Sequence, residues 1–339
     1  MKPTELTTLL SQTIGARIHT LIKGAPGIGK SDIVNQSAQA ADADVIVSHP
    51  AVADPTDIKG MPWIVDGRAT FLPFGDLERA RAATRRTVWF LDDLGQASPA
   101  VQSGCMPLLD STRGHNATLG DGAQHIVFVA ATNRRSDRAG VSGILEPVKS
   151  RFGTIVELEP SIDDWCSWAI DHDIPPALIA YLRFEPDQLS KFEATADLTN
   201  SPSPRTWSHV AKLMSLDLPE SVRHAAFAGA VGEGAATNLL GFLSLYASLP
   251  SVDQILIDPD HAPVPDKTSA LYAVATALAH RSTPQNFTRV ARYVERMVSA
   301  GYGEFGILTI RDAQRRHPEV TQTTAYVRLA VGELSTLIS

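Results

Sequence analysis

Continuous apolar runs, rather than alternating ones, punctuate the first half of the chain. "IHTLIK" (18–23) leads into glycines, "DVIVS" (44–48) is β-branched, and "TVWFL" (87–91) and "HIVFVAAT" (125–132) are apolar almost throughout. Runs of this kind suit strands covered on both faces, as in a parallel sheet. Between the first two, "SDIVNQSAQAADA" has helical spacing, which gives a β-loop-α-β order. Strands alternating with helices predict an α/β sandwich up to about residue 157. Residues 61–74, "MPWIVDGRATFLPF", read differently. Apolar positions alternate on either side of Asp66-Gly67, a strong hairpin turn, so this stretch is read as an inserted hairpin.

Beyond residue 158 the strand signals fade. "SIDDWCSWAI" and "PRTWSHVAKLM" have helical spacing, and Ser161 followed by Asp163 and Asp164 makes a helix start with acids at the positive dipole end. Residues 196–206, "ADLTNSPSPRT", form a polar, Pro-rich break. From about 216 the chain reads as helical, divided by the loop "DPDHAPVPD". Three regions are expected: an α/β core over 1–157, a helical lid over 158–215, and a C-terminal helical extension over 216–339. The most apolar window, 225–249, carries Glu233 between Gly232 and Gly234. A membrane span should lack such a charge, so two packed helices broken at the glycines are expected there.

The 339 residues suffice for two or three domains with a sizeable core. A net charge of −7 argues against bulk attraction to nucleic acid or anionic membrane. Cys105 and Cys166 are far apart and form no metal-type spacing. With no secretory apolar segment at the N-terminus, a reducing, cytoplasmic setting is the expectation.

The chemistry lies in the loops after the apolar runs. "GAPGIGKS" (24–31) fits G-x-x-x-x-G-K-[ST] in full, with a strand before it and a helix after it. Its glycines let backbone N–H groups close around phosphate oxygens, and the next helix offers its positive end to the anion. The nucleotide-binding set is Gly24, Ala25, Pro26, Gly27, Ile28, Gly29, Lys30 and Ser31, with Asp32 in the first helical turn. Lys30 would reach the terminal phosphates of ATP, and the Ser31 hydroxyl would bind Mg²⁺. "VWFLDD" (88–93) buries a strand and ends in Asp92, a second Mg²⁺ ligand at the sheet edge. Asp93 follows as the candidate base for an attacking water. Asn133, ending "IVFVAATN", can orient that water, although a satisfied strand-end amide explains it nearly as well locally. Arg151 in "EPVKSRF" stands where a guanidinium can reach a neighbouring subunit's ATP. Standing alone it would read as a solvated arginine. Arg205 in "SPSPRTW" opens a helix after two prolines.

Taken in order, these motifs resemble AAA+ ATPases over roughly residues 15–215. The hairpin, "DPTDIKG" before it and "LDDLGQASPAVQSGCMPLLD" after it are similar to the MoxR-like, helix-2-insert branch. The resemblance implies a P-loop NTPase (AAA+) parallel-sheet core with a β-hairpin insertion, a helical lid and a ring, usually of six subunits, with ATP at each interface. It implies Asn133 as first sensor, Arg151 as the finger acting in trans, and Arg205 as second sensor. The branch is associated with remodelling or activating protein partners, often ones with a von Willebrand A domain.

Asp93 stands where that branch usually has Glu, and Gly95 and Gln96 where Asn and Arg are common. Arg134, Arg135 and Arg138 in "NRRSDR" rival Arg151 for the finger role. Two other functions stay open: a nucleic-acid-acting motor, for which "ERARAATRR" (78–86) is the candidate basic face, and an ATP-gated assembly module with little hydrolysis. Trp63, near Phe71 and Phe74, either grips a client or packs on its own domain.

Overall fold

The computed structural model describes residues 1–110, 118–134, 137, 143–193 and 198–331. Arg135 and Arg138 lie outside the described residues. The chain divides into two compact units, one built on Met1–Ser161 and the other on Ile162–Lys191 together with the helices from Pro204 onward.

The first unit runs α1 (Pro3–Ala16), β1 (Thr20–Lys23), α2 (Lys30–Ala40), β2 (Asp44–Ser48), α3 (Pro55–Lys59), β3 (Met61–Val65), β4 (Arg68–Leu72), α4 (Gly75–Arg81), β5 (Thr87–Leu91), α5 (Pro99–Leu109), β6 (Ile126–Thr132), α6 (Glu146–Lys149) and β7 (Thr154–Glu157). Five strands form one parallel sheet in the order β2-β5-β6-β1-β7. The apolar runs are its centre: every residue of β5 and β6 is buried. One face packs on α1 and α2 through Leu6, Leu10, Ile22, Val34 and Phe90. The other packs on α5 through Trp89, Phe128, Val101 and Leu108.

The hairpin β3–β4 forms a separate two-stranded sheet, turning at Asp66 and Gly67, both with positive φ as the tight turn requires. All ten of its strand residues are exposed, including Trp63 at 61% and Ile64 at 71%. Trp63 therefore does not pack on its own domain. The arginines of "ERARAATRR" are engaged inside this unit. Arg79 pairs with Asp76, Arg85 with Asp42 and Asp44, Arg81 donates to the Thr118 carbonyl and Arg86 to the Ala41 carbonyl. The helix ends at Arg81, so the four do not form one helical face.

The second unit is helical: α7 (Ile162–Asp171), α8 (Pro176–Phe184), α9 (Pro204–Met214), α10 (Glu220–Val231), α11 (Glu233–Ser248), α12 (Val252–Ile257), α13 (Thr268–Arg281), α14 (Phe287–Ser299), α15 (Gly303–Arg316) and α16 (Thr324–Val331). The apolar window divides at Gly232, with φ of 84°, into α10 and α11. Glu233–Ile257 is long and apolar enough to cross a membrane by length and composition alone, but it is interrupted between α11 and α12 at Pro250. One core joins Trp165, Tyr181, Trp207, Phe227 and Phe242, so residues on both sides of position 215 share it. A second core gathers Leu271, Phe287, Tyr293, Met297 and Phe305. Ala-rich α13 contributes to both, since its small side chains let helices approach on several sides.

Across this unit Arg183 of α8 grips Asp312 of α15 through both terminal nitrogens, at 2.5 and 2.9 Å, and also donates to Thr276 of α13. Both charged side chains are only about a tenth exposed (12% and 10%), so each depends on the other for solvation. The nearby Cys166 thiol, like Cys105 in the first unit, is pushed up to about 12 by burial, which makes both inert. Asp312→Ala is expected to destabilise this unit by about 3–5 kcal/mol, because it strands a buried guanidinium; chemical denaturation measures it.

His19, before β1, is a second buried liability. Its Nδ1 accepts from the Phe128 N–H at 3.2 Å, and its ring meets Phe128 edge-on. Nε2 lies toward the Leu109 carbonyl but outside hydrogen-bonding geometry. Burial dominates and lowers the imidazole to about 4, from 6.5 when exposed. The folded state thus favours the neutral ring, and its stabilising effect is complete above pH 6.5. As pH falls from 6.5 to 4 the unfolded chain takes up the proton first, and roughly 3 kcal/mol is lost. Denaturation midpoints at pH 7.5 and 4.5 should differ accordingly, and His19→Gln should flatten that difference.

Candidate functional site

The site forms at the C-terminal edge of the parallel sheet, where β1, β5 and β6 end side by side. The Gly24 N–H donates to the Thr132 carbonyl, continuing the ladder one step beyond β1. A Cβ at Gly24 would lie 2.7 Å from Ile28 Cδ1 and 3.0 Å from the Leu158 carbonyl oxygen, so only glycine lets the loop fold back over the sheet. Gly29 caps α2 with φ of 94°, a conformation an L side chain would strain. Ala25 and Ile28 are buried and anchor the loop from beneath.

Lys30, the first residue of α2, is 7% exposed. Its ammonium donates to the Gly24 and Ala25 carbonyls and to Asn133 Oδ1, each at 2.9 Å. With Oδ1 so occupied, Asn133 turns its Nδ2 toward Asp93 Oδ1 at 3.3 Å. Ser31 Oγ donates to Asp92 Oδ2 at 2.7 Å, and the Asp93 N–H donates to Asp92 Oδ1 at 3.1 Å. Five of the expected residues (Lys30, Ser31, Asp92, Asp93 and Asn133) therefore belong to one hydrogen-bonded chain. Asp32 lies in the first turn of α2 with its side chain exposed.

The oxygens of Ser31 and Asp92 fit a hard cation that keeps most of its shell from water and phosphate, which is how Mg²⁺ binds. Among the described residues no cluster of three His, Cys, Asp or Glu offers an all-protein metal cage; the Asp92 carboxylate and the Ser31 hydroxyl are the paired donors at this edge.

Asp93 has φ 57° and ψ 35°. This left-handed conformation is uncommon outside glycine, and Asp and Asn tolerate it best. It directs the chain into the turn Leu94–Gln96 and then α5, whose start is capped by Ser98 accepting from the Val101 N–H.

The arginines differ from one another. Arg151 is held within its own unit: Nη2 donates to Asp110 at 2.8 Å and Nη1 to the Pro147 carbonyl at 2.6 Å. Arg134 is engaged with Asp137 and Glu157. Glu157 also pairs with Lys23 at 2.8 Å, and these cations, Lys23 first, hold its carboxyl below the usual range. Arg205 is exposed in the first turn of α9, in the second unit. Gln102 was not anticipated from the sequence. It is 1% exposed, and its carboxamide bonds the Ala97 carbonyl, the Gly143 carbonyl and the Leu145 N–H.

Residues 19–152 match the AAA domain (dynein-related subfamily). No protein of curated function matches the chain. Among solved structures, a point variant of RuvB from Thermotoga maritima is similar at 16% identity and a TM-score of 0.41, covering 88% of this chain and 86% of that one. The RuvB Holliday junction branch migration motor from the same organism is similar at 11% identity and a TM-score of 0.34, covering 88% and 76%. Likeness at that level carries no functional information. The domain match, the parallel sheet and the phosphate loop make residues 19–152 an AAA+ P-loop fold, which a helical region follows.

Removing the buried cation should cripple nucleotide binding. Lys30→Ala is expected to weaken ADP binding at least tenfold, about 1.4 kcal/mol, as read by titration calorimetry.

Proposed function

We propose that this chain is an ATP-hydrolysing ring protein of MoxR type that remodels or activates a protein partner. The observation that carries the reading is the continuous chain Ser31–Asp92–Asp93–Asn133–Lys30 at the sheet edge. It gathers a phosphate-binding cation, two cation-binding oxygens, a carboxylate base and an orienting amide around one point.

Phosphates of ATP would enter over the Gly24–Ser31 loop, meeting its backbone N–H groups and the positive end of α2. Lys30 would exchange Asn133 Oδ1 for a phosphate oxygen. Asn133 is then free to hold a water in line with the γ-phosphorus while keeping its amide near Asp93. Asp93 takes the proton of that water as its oxygen attacks, and the bond to the bridging oxygen of ADP breaks. Ser31 and Asp92 would hold Mg²⁺, which would supply neutralisation of phosphate charge. Arg151 of a neighbouring subunit would stabilise charge on the transferring group, and Arg205 is assigned the second-sensor role. A six-membered cytoplasmic ring follows from the same reading, with a client bearing a von Willebrand A domain. The exposed apolar hairpin around Trp63 supports a protein-facing surface, and the intramolecular engagement of Arg79, Arg81, Arg85 and Arg86 weighs against a nucleic-acid track.

Hydrolysis should be slow and should rise with protein concentration as subunits meet. Asp93→Asn keeps a residue that tolerates the left-handed backbone, so it should bind ATP, assemble and turn over at least about tenfold more slowly. Parental turnover in Asp93→Asn would refute the base assignment. Stimulation of turnover by duplex DNA, lost at high salt, would move the protein to the nucleic-acid class.

A further inference from the structure

We infer that Gln102, in α5, and Asp110, which caps its C-terminal end, are positioning residues for Arg151. This rests on the reading of Arg151 as the group that acts on a neighbouring subunit's ATP.

A buried carboxamide has to satisfy its own polar atoms, and Gln102 does so entirely on backbone. Its Nε2 donates to the Ala97 carbonyl at 3.1 Å and to the Gly143 carbonyl at 2.9 Å, while Oε1 accepts from the Leu145 N–H at 2.9 Å. Ala97 lies four residues after Asp93. Gly143 and Leu145 lead into α6, after which Arg151 follows. One side chain therefore ties the segment that leaves the acids to the segment that delivers the arginine.

At the other end of α5, eight residues or about 12 Å away, Asp110 receives the guanidinium itself at 2.8 Å. The arginine segment is thus fixed at its entry by Gln102 and at its tip by Asp110. Arg151 Nη1 is braced further by the Pro147 carbonyl, while Nε is buried without a hydrogen-bond partner among the described residues. The Arg151 side chain as a whole keeps about a quarter of its surface open (27%). A strut running from the chain's own acids to its own arginine makes the aim of that arginine depend on where α5 sits.

The test is a double-mutant cycle on ATP turnover at concentrations where the protein is assembled, using Gln102→Met, Asp110→Asn, Arg151→Ala and the two doubles carrying Arg151→Ala. Methionine keeps the length and volume of Gln102 without its three hydrogen bonds. Asp110 is half-exposed, so Asp110→Asn keeps the test available if Gln102→Met does not fold. Arg151→Ala should lower kcat about 1,000-fold. Gln102→Met should lower it roughly tenfold by misplacing the arginine, with KM for ATP little changed. Each double should turn over no more than about twofold slower than Arg151→Ala alone, because a positioning residue has nothing left to position. Losses that multiply in the doubles would overturn the positioning role. Parental turnover in Arg151→Ala would instead sink the finger assignment, and the two failures are distinct.

Discussion

A buried ammonium at the edge of a parallel sheet is the constraint on which the site depends. Lys30 has almost no access to solvent, and an isolated charge there would be far too costly without oxygen partners. The Gly24 and Ala25 carbonyls and Asn133 Oδ1 meet it, and each fixes something else. The Gly24 and Ala25 carbonyls hold the loop in its phosphate-cradling shape. Asn133 Oδ1 ties the end of β6 to the start of α2 and, by occupying its oxygen, points its amide at Asp93. The anion site, the cation ligands and the base therefore have one common origin. A phosphate is the natural replacement for the side-chain acceptor, since it is the only one of the three that can leave without unfolding the loop.

What could be read from the sequence is what depends on neighbours along the chain. The phosphate loop is legible because its glycines, Lys30 and Ser31 are contiguous and act through local backbone geometry. Strands β5 and β6 are legible because burial on both faces leaves an unbroken apolar run. The hairpin is legible through Asp66-Gly67, but its exposure is not. Alternating apolar residues ordinarily imply one covered face, and nothing local reports that both faces of β3–β4 are open. Gln102 and Asp110 were invisible for the opposite reason. The partner of Asp110 and two of the three partners of Gln102 lie about 40 residues away, and those of Gln102 are backbone groups that leave no mark on composition. A glutamine inside an otherwise apolar helical face is the only available signal. The arginines before β5 looked like a basic face, yet each answers to a specific acceptor that periodicity does not reveal.

The helical unit follows a similar logic on a larger scale. Residues 162–191 and the helices beyond 216 share one apolar core, and Arg183–Asp312 crosses it with both charges nearly dry. Two more ion pairs run beside it, from Arg315 to Asp171 and from Arg316 to Asp173. A buried pair of this kind adds little net stability over an apolar pair of equal volume, but it penalises any packing that separates its members. Its effect here is to hold α8 against α15, while the Arg315–Asp171 pair ties α15 to α7. Arg205, at the start of α9, belongs to the same unit.

Asp93 joins the chemistry to the architecture. An acid one methylene shorter than glutamate loses about 1.5 Å of reach, and a base must come within ~2.6–3.2 Å of its water. The left-handed backbone at Asp93 gives the short acid a structural rationale of its own, because Asp adopts that conformation more readily than longer side chains. The same turn sends the chain through buried Leu94 and Gly95 into α5. The residue proposed as the base thus also sets the start of the helix that carries Gln102 and ends at Asp110. Lys30 and Asp93 meet on the same amide, Asn133, so the short acid is held in register with the buried cation rather than apart from it.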